Sequence, residues 1–137
     1  MVAPVRVTVL GPEGSFGHLA AEQHFGHGVQ VSARDTIADV FDDVERKRVS
    51  YGLVPFETST DGALAETLDA LAASEARICG ELTLPCTYDL ASKTGNAADV
   101  EKIYGTSHAL AACEQTLRRD FPKATLLDVR SGLGAAE

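Results

Sequence analysis

The order of hydrophobic and polar residues in the first half of the chain predicts two strands and three helices. In VRVTVL, Val7 and Val9 alternate with polar neighbours, which is the period of a β-strand. SYGLVPFE is a second run of strand length, and it contains a proline near its end. In the last predicted helix, Leu64, Leu68 and Leu71 form one apolar stripe. The three predicted helices cover residues 16–26, 36–48 and 62–73.

The second half of the chain predicts a strand, a helix and a further strand. VEKIYG and ATLLDVRS have strand propensity, and the segment between them places Leu110, Cys113, Leu117 and Phe121 on one helical face. RICGELTLPCTYDLAS, residues 77–92, also has strand propensity, with a proline that limits it to an edge or a bend. KTGNAAD clusters small and turn-forming residues, so we expect a boundary there, and GLGAAE indicates a loop that enters another helix. The predicted lobes are residues 1–93 and 94–137.

Strands that alternate with helices predict an α/β fold with a mostly parallel sheet. In such sheets, ligands bind at the carboxyl ends of the strands, where loops lead into helix N-termini. Free backbone N–H groups and the positive end of the helix dipole make these positions suitable for carboxylates. Four predicted loops of this kind carry glycine, hydroxyl groups or both: GPEGSFG, FETSTDG, GTSH and RSGLG. Together they predict a site for a small anionic molecule.

Composition and charge exclude several classes of partner. The 137-residue chain has a formal net charge of −8, which argues against nucleic acid, because phosphate binding uses clustered Lys and Arg. A small anion is compatible with this charge if its site is locally positive. No apolar run reaches the length of a membrane span and no segment resembles a signal peptide, so we expect a cytoplasmic protein without membrane contacts. Cys79, Cys86 and Cys113 lack the spacing of a metal site or redox pair, and their apolar neighbours predict buried free thiols.

The loop LGPEGSF has two interpretations. Its glycines allow a ligand to approach the main chain, Ser15 can donate to an anion, and Glu13 can orient a neighbour. The alternative is a tight turn in which Ser15 caps the following helix. Thr36 with Asp39 similarly resembles a capping box at the second helix. The loop lacks the G-x-G-x-x-G spacing, so we expect no nicotinamide cofactor.

FETSTDG combines a carboxylate with three hydroxyl groups. One or two of Thr58, Ser59 and Thr60 can cap the helix that follows, which leaves the others for a ligand or for solvent. Glu57 is a candidate general acid, a hydrogen-bond acceptor for a substrate hydroxyl, or a brace for the loop. The acid role requires a buried carboxyl group, because burial favours the neutral form.

YGTSHAL places His108 in the first turn of a helix, directly after Thr106 and Ser107. This histidine is a candidate acid–base residue or an ordinary surface residue. Three further histidines near the first helix lack metal-ligand spacing, so we expect no metal site: His18, His24 and His27.

Several of these segments together resemble the prephenate dehydratase family. LGPEGSF followed by LAAEQHF resembles the family's LGPxGTF opening, and VPFETSTDGALAETLDAL resembles its VPIENSxxG…TLDxL segment. GELTLPCTYDL resembles the strand that leaves the first lobe, and VEKIYG with ALAAC resembles the stretch that opens the second lobe. The similarity covers almost the whole chain in the family's order and spacing.

The resemblance implies a two-lobed α/β fold like that of small periplasmic binding proteins, with the substrate between the lobes. It implies conversion of prephenate to phenylpyruvate without a cofactor: a protonated hydroxyl leaves C4 of the ring while the ring carboxylate departs as carbon dioxide. We also expect a homo-oligomer. The predicted catalytic residues are Glu57, Thr58 and Ser59. The predicted substrate contacts are Gly14, Ser15, Phe16, Thr60, Gly62, Thr106, Ser107 and His108.

The chain departs from the family pattern at several positions. Thr58 replaces the asparagine of ENS, Tyr88 replaces a histidine, and Gly105 to His108 replace the family's SHPQ. The family's Thr-Arg-Phe motif would lie beyond residue 137, so we expect the second lobe to be incomplete in this chain. Two alternatives therefore remain open. One is a prephenate decarboxylase that keeps the hydroxyl, for which Thr58 is a fitting change, and the other is a module that binds a carboxylate without turnover.

Overall fold

The computed structural model describes residues 4–129 of the chain. These residues form two compact units that divide between Cys86 and Thr87. Each unit has its own parallel sheet and its own helices. The lobe boundary that we predict after residue 93 remains a prediction.

Strands and helices alternate through the first unit, residues 4–86. Its elements are β1 (Arg6–Leu10), α1 (Phe16–Phe25), β2 (Gln30–Arg34), α2 (Ile37–Glu45), β3 (Tyr51–Leu53), β4 (Glu57–Thr58), β5 (Gly62–Ala63) and α3 (Ala65–Ala73). The first three strands make a parallel sheet in the order β2-β1-β3, and β4 and β5 make an antiparallel hairpin. The predicted α/β class with a mostly parallel sheet is confirmed.

Two helices cover opposite faces of the three-stranded sheet. Val7 and Val9 of β1 are fully buried and pack with Ala21 of α1. Thr8 lies between them in the strand and faces the other way, because side chains alternate along a strand. Its hydroxyl group donates a hydrogen bond to Asp43 of α2. The sheet is therefore buried on both sides, and a ligand can reach it only at its edges and its loops.

The strand β3 approaches α2 closely at Gly52. A Cβ atom at this position would lie 2.9 Å from side-chain carbons of both Val40 and Val44. Glycine therefore allows α2 to pack directly on the backbone of β3.

The first two helices begin where the sequence predicts. Ser15 caps α1 by accepting from the backbone N–H of His18, and Thr36 caps α2 by accepting from that of Asp39. The Thr36 hydroxyl group also donates to the Asp39 carboxylate at 2.7 Å. Asp39 thus takes the place of the usual Glu in the predicted capping box.

The third helix begins at Ala65 rather than at the predicted residue 62, because Gly62 and Ala63 belong to the hairpin. Its N-cap is Leu64, which makes no side-chain capping hydrogen bond. The prediction that a hydroxyl group of FETSTDG caps this helix is therefore wrong. Thr67 is buried in α3, whereas Leu68 of the predicted apolar stripe is 40% exposed.

The segment from residue 74 to residue 92 contains neither helix nor strand, although residues 77–92 have strand propensity. Ile78 in this segment is 67% exposed. The cysteines Cys79 and Cys86 are also exposed, and Cys113 is half-buried. All three are free thiols, as predicted, but the prediction that they are buried is wrong.

The second unit, residues 87–129, contains a short 3-10 turn followed by a strand, a helix and a strand. Its elements are the turn Ala97–Asp99, β6 (Lys102–Gly105), α4 (Ser107–Asp120) and β7 (Thr125–Asp128). β6 and β7 pair in parallel, and Ile103 and Leu117 are the buried apolar residues of this unit. The predicted strand–helix–strand order is confirmed. The helix predicted from GLGAAE lies outside the described residues.

Candidate functional site

The strand order of the first unit brings two of the predicted ligand loops together. β1 pairs with β3 on one side and with β2 on the other, and Val9 lies opposite Leu53 near the carboxyl ends of β1 and β3. The loops GPEGSFG and FETSTDG follow these two neighbouring strands. In an open α/β sheet of order 2-1-3, the point between β1 and β3 is where successive connections leave in opposite directions and open a crevice. The first unit therefore carries a candidate site at this edge.

The loop after β1 uses its serine to build the start of α1. The Ser15 hydroxyl group donates to the Leu10 carbonyl at 3.0 Å and accepts from the His18 amide at 3.4 Å. Gly14 has a φ of +78°, which glycine adopts at little cost. The capping interpretation of Ser15 is confirmed, while a contact between Gly14, Ser15 or Phe16 and a ligand stays a prediction. The amides of Gly14 and Ser15 are also donated, to His18 and to Pro12, so a ligand here would meet the positive end of the α1 dipole and a serine oxygen whose proton is already donated.

The loop after β3 folds into the β4–β5 hairpin, and Thr58 holds its turn. The Thr58 hydroxyl oxygen accepts from the Asp61 amide at 2.9 Å and lies 3.1 Å from the Asp61 carboxylate, to which it donates. Thr58 pairs with Gly62, whose φ of +71° closes the hairpin. Ser59 and Thr60 are exposed at the tip of this turn. The hydroxyl of Thr58 is thus used inside the loop, whereas those of Ser59 and Thr60 lie at its surface.

Glu57, at the start of the hairpin, is exposed. The burial that a general acid requires is therefore not provided by the described residues of the first unit. An acceptor for a substrate hydroxyl or a brace for the loop fits the exposed position better.

The hairpin is supported from α3 by a buried threonine, Thr67, which the sequence analysis matched to the family's TLDxL segment but did not predict as a site residue. The Thr67 hydroxyl group is in a residue only 2% exposed and donates to the Pro55 carbonyl at 2.6 Å. The Leu64 amide donates to the Phe56 carbonyl at 2.9 Å. These two bonds fix the middle of the VPFE segment, at Pro55 and Phe56, to the start of α3. The signal in the sequence was a polar residue between the leucines of the predicted helix.

The carboxyl edge of the second unit's sheet carries a negative charge beside a helix N-terminus. Thr106 caps α4 by accepting from the Ala109 amide at 3.2 Å. The Ser107 hydroxyl group donates to the Asp128 carboxylate at 2.7 Å, across the neighbouring ends of β6 and β7. Asp128 was not predicted as a site residue, although it ends the strand ATLLD. A carboxylate suits the positive end of the α4 dipole, but it disfavours a second anion at the same place.

A buried carboxylate holds the last residue of β2. Asp43 is 2% exposed at its side chain and accepts hydrogen bonds from Thr8 at 3.0 Å, Arg34 at 2.8 Å and Arg48 at 3.1 Å. We call these four residues the Asp43 cluster. Burial by itself raises the pKa of Asp43, but the hydrogen bonds from Arg48, Thr8 and Arg34 outweigh it and hold that pKa below its ordinary value. The sequence analysis missed this cluster, whose signal is an aspartate three residues after Val40 on the apolar side of α2.

Two of the four predicted loops, GPEGSFG and FETSTDG, thus lie at one edge of the first unit. GTSH lies at the carboxyl edge of the second unit, and RSGLG lies outside the described residues. Within residues 4–129, no cluster of three or more His, Cys, Asp or Glu side chains is arranged to hold a metal ion. None of the helices in the described part of the chain is long and apolar enough to cross a membrane.

A family model described as prephenate dehydratase matches residues 7–137. The bifunctional chorismate mutase/prephenate dehydratase of Aquifex aeolicus is 38% identical over 133 residues, covering 97% of this chain and 37% of the relative. The prephenate dehydratase of Bacillus subtilis is 34% identical over 122 residues, covering 86% of this chain and 43% of the relative. The chain therefore spans less than half the length of these curated relatives.

A solved structure of a prephenate dehydratase has a similar fold. The prephenate dehydratase of Arthrobacter aurescens, determined in complex with L-Phe, superposes with a TM-score of 0.81 at 27% sequence identity. The match covers 96% of this chain and 44% of that protein.

Proposed function

Because the chain belongs to the prephenate dehydratase family, we propose that the protein containing it converts prephenate to phenylpyruvate, carbon dioxide and water. The C4 hydroxyl takes up a proton and leaves as water. The electrons of the bond to the ring carboxylate move into the ring as carbon dioxide departs. The product ring is aromatic, so the protein has to hold a dianion and supply one proton without a redox cofactor.

The observation that carries this proposal is the position of the two family motifs LGPEGSF and VPFETSTDG at neighbouring strand ends. The N-terminus of α1 offers backbone N–H groups and the positive end of a helix dipole to a substrate carboxylate. Gly17 allows this helix to begin close to β1, because a Cβ there would lie 3.0 Å from the Leu10 carbonyl oxygen. We propose that Gly14, Ser15 and Phe16 border a substrate carboxylate here. The attraction comes from the α1 dipole, because the amides of Gly14 and Ser15 already donate to His18 and to Pro12.

The exposed hydroxyl groups of the hairpin complete the first-unit part of the proposed site. Ser59 and Thr60 lie exposed at the tip of the turn that Thr58 holds, where they can contact substrate oxygens, although the Thr60 hydroxyl also lies 3.5 Å from that of Thr58. Gly62 pairs with Thr58 and closes the same turn. Glu57 serves as an acceptor for the substrate hydroxyl in this proposal.

The second-unit residues Thr106, Ser107 and His108 take a different role in the proposal. The Asp128 carboxylate already accepts from Ser107, so a substrate carboxylate would meet an unfavourable charge there. A neutral hydroxyl group would not. The prediction that Thr106, Ser107 and His108 contact the substrate is therefore limited to an uncharged group of prephenate.

Incubation of the full-length protein with prephenate, followed by ultraviolet detection of phenylpyruvate, tests the proposal. Mass spectrometry separates it from the decarboxylase alternative, because a decarboxylase product keeps the oxygen of the hydroxyl. Binding of prephenate without turnover would instead support a binding module. The absence of both binding and turnover would refute the assignment of this substrate.

We also propose a cytoplasmic location and a homo-oligomeric state. The relatives named above are enzymes of small-molecule metabolism, which supports the first of these proposals. Cell fractionation and light scattering on the full-length protein test the two statements separately.

A further inference from the structure

The loop from Gly11 to Ser15 is attached to its own strand and to the neighbouring strand β2. The Ser15 hydroxyl group donates to the Leu10 carbonyl at 3.0 Å, and the Ser15 amide donates to the Pro12 carbonyl at 3.0 Å. The Gly11 amide donates to the Arg34 carbonyl at 2.8 Å. Only the last of these three hydrogen bonds joins the loop to a different strand. The place of the loop above the sheet edge thus depends on the main chain of Arg34.

Gly11 also packs tightly against the end of β2. A Cβ atom on Gly11 would lie 3.0 Å from the Cβ atom of Ala33 and 3.2 Å from the carbonyl oxygen of Arg34. At these distances a side chain would require Ala33 or the Arg34 main chain to shift by a few tenths of an ångström. A change in the position of the Arg34 main chain therefore acts directly on the first residue of the loop.

The Arg34 main chain is held in turn through its side chain. Nε of Arg34 donates to the Asp43 carboxylate at 2.8 Å, and Nη1 donates to the Ala33 carbonyl at 3.3 Å. The planar guanidinium group makes both bonds at once, which the point charge of a lysine does not. Asp43 is fixed by α2 and by its bond from Thr8 of β1. A buried carboxylate thereby ties the end of β2 to the centre of the sheet.

We infer that Arg34 is a positioning residue for the loop Gly11–Ser15 and, through this loop, for the substrate. The substrate half of the inference rests on the proposed function, whereas the coupling between Arg34 and Gly11 does not. Arg48 provides a matched comparison, because it also donates to Asp43 and its side chain is 51% exposed against 41% for Arg34. The other partner of Arg48 is Asp42 on α2, not the loop.

The substitutions Arg34→Lys and Arg48→Lys in the full-length protein test the inference. Amide hydrogen exchange at Gly11, read by NMR, reports the hold on the loop, and KM and kcat for prephenate report its effect on the substrate. We expect Arg34→Lys to accelerate exchange at Gly11 and to raise KM about fivefold, the factor that corresponds to one hydrogen bond. We expect kcat to change less. Both substitutions should lower the melting temperature by similar amounts, since each removes one arginine from Asp43. Arg48→Lys should nevertheless leave the exchange rate at Gly11 and the KM close to their wild-type values.

Equal exchange rates at Gly11 in the two variants would overturn the coupling. Faster exchange in Arg34→Lys with an unchanged KM would overturn the substrate half. If the wild-type protein turns over no prephenate, the proposed function fails while the exchange test still stands. If Arg34→Lys does not fold, Gly11→Ala disturbs the same contact from the loop side without removing any side chain of the Asp43 cluster. An unchanged KM in that variant would contradict the inference.

Discussion

The substitution Asp43→Asn removes a buried charge while it keeps the shape of the side chain. In the wild-type protein, this carboxylate accepts hydrogen bonds from Arg34, Arg48 and Thr8. Removal of one partner of a buried ion pair typically costs about 3–5 kcal/mol. The side chains of Arg34 and Arg48 are 41% and 51% exposed, so water solvates them again in the variant. We therefore expect a loss of about 2–3 kcal/mol in the free energy of unfolding at neutral pH.

The pH dependence of this loss follows from the direction of the pKa shift. The pKa of Asp43 lies below its ordinary value in the folded protein, despite burial, because Arg48, Thr8 and Arg34 stabilise the ionised form. Its stabilising contribution is complete above the pKa of an unfolded aspartate, about 3.9, and is lost as the pH falls through the folded-state pKa. Asparagine does not titrate. The difference between wild type and Asp43→Asn should therefore be constant near neutral pH and should shrink in acid.

Urea denaturation at a series of pH values measures this difference. Asp42→Asn is the matched control, because Asp42 precedes Asp43 on the same helix and pairs with Arg46 and Arg48 while 41% exposed. An exposed pair contributes at most about 1 kcal/mol, so this variant should lose little. Equal losses in the two variants, or a loss in Asp43→Asn that persists unchanged in acid, would refute the ionised, buried state of Asp43.

Three further substitutions test the supports of the site. Thr67→Val removes the 2.6 Å hydrogen bond from the buried Thr67 to the Pro55 carbonyl and should lower the free energy of unfolding by about 1–3 kcal/mol in urea denaturation. Thr67→Ser should keep most of the stability, and equal values for the two variants would contradict the role of the hydroxyl. Gly52→Ala places a Cβ atom 2.9 Å from Val40 and Val44 and should cost about 1–3 kcal/mol, so an unchanged melting temperature would contradict the close packing of α2 on β3. Thr58→Ala removes the acceptor for the Asp61 amide and should lower kcat/KM about fivefold. Thr58→Asn can hold the same turn and should keep kcat/KM near the wild-type value. Identical kinetics of Thr58→Ala and wild type would show that the turn is not needed.

Local signals in the sequence predicted the helices well. Ser15 and Thr36 cap α1 and α2 because each oxygen needs only a backbone amide three residues away. A pattern confined to four residues is visible in a single sequence. The start of α3 was harder, because Thr58 bonds to Asp61 within the hairpin and does not reach the helix.

Strands were predicted less well, because a strand requires a partner that the local sequence does not specify. β2 was missed, although Val29, Val31 and Ala33 alternate with polar residues before the second helix. Residues 77–92 have the composition of a strand but lie unpaired among the described residues. Propensity describes how a residue fits a pleated surface, and it does not supply the neighbouring strand.

The polar groups that organise the site were the hardest to predict. Asp43 and Thr67 are polar residues on helices whose other inward positions are apolar, and sequence patterns assign such residues to the surface. Asp128 and Ser107 are 21 residues apart and meet only because β6 and β7 are parallel neighbours. The loops could be recognised from glycine and hydroxyl content, but the side chains that fix them depend on tertiary structure.

The buried carboxylate of α2 also has a consequence for how this helix docks during folding. Burial of apolar side chains is not directional, so it constrains the position of α2 along the sheet only where Val40 and Val44 pack on Gly52. A displacement by one helical turn, about 5.4 Å, would instead take Asp43 away from Thr8 and Arg34 and leave Arg48, which moves with α2, as its remaining partner in the Asp43 cluster. The misdocked arrangement is thereby penalised far more than it would be by a leucine at the same position. The bonds of Asp43 to Thr8 and Arg34 therefore favour one alignment of α2 on the sheet.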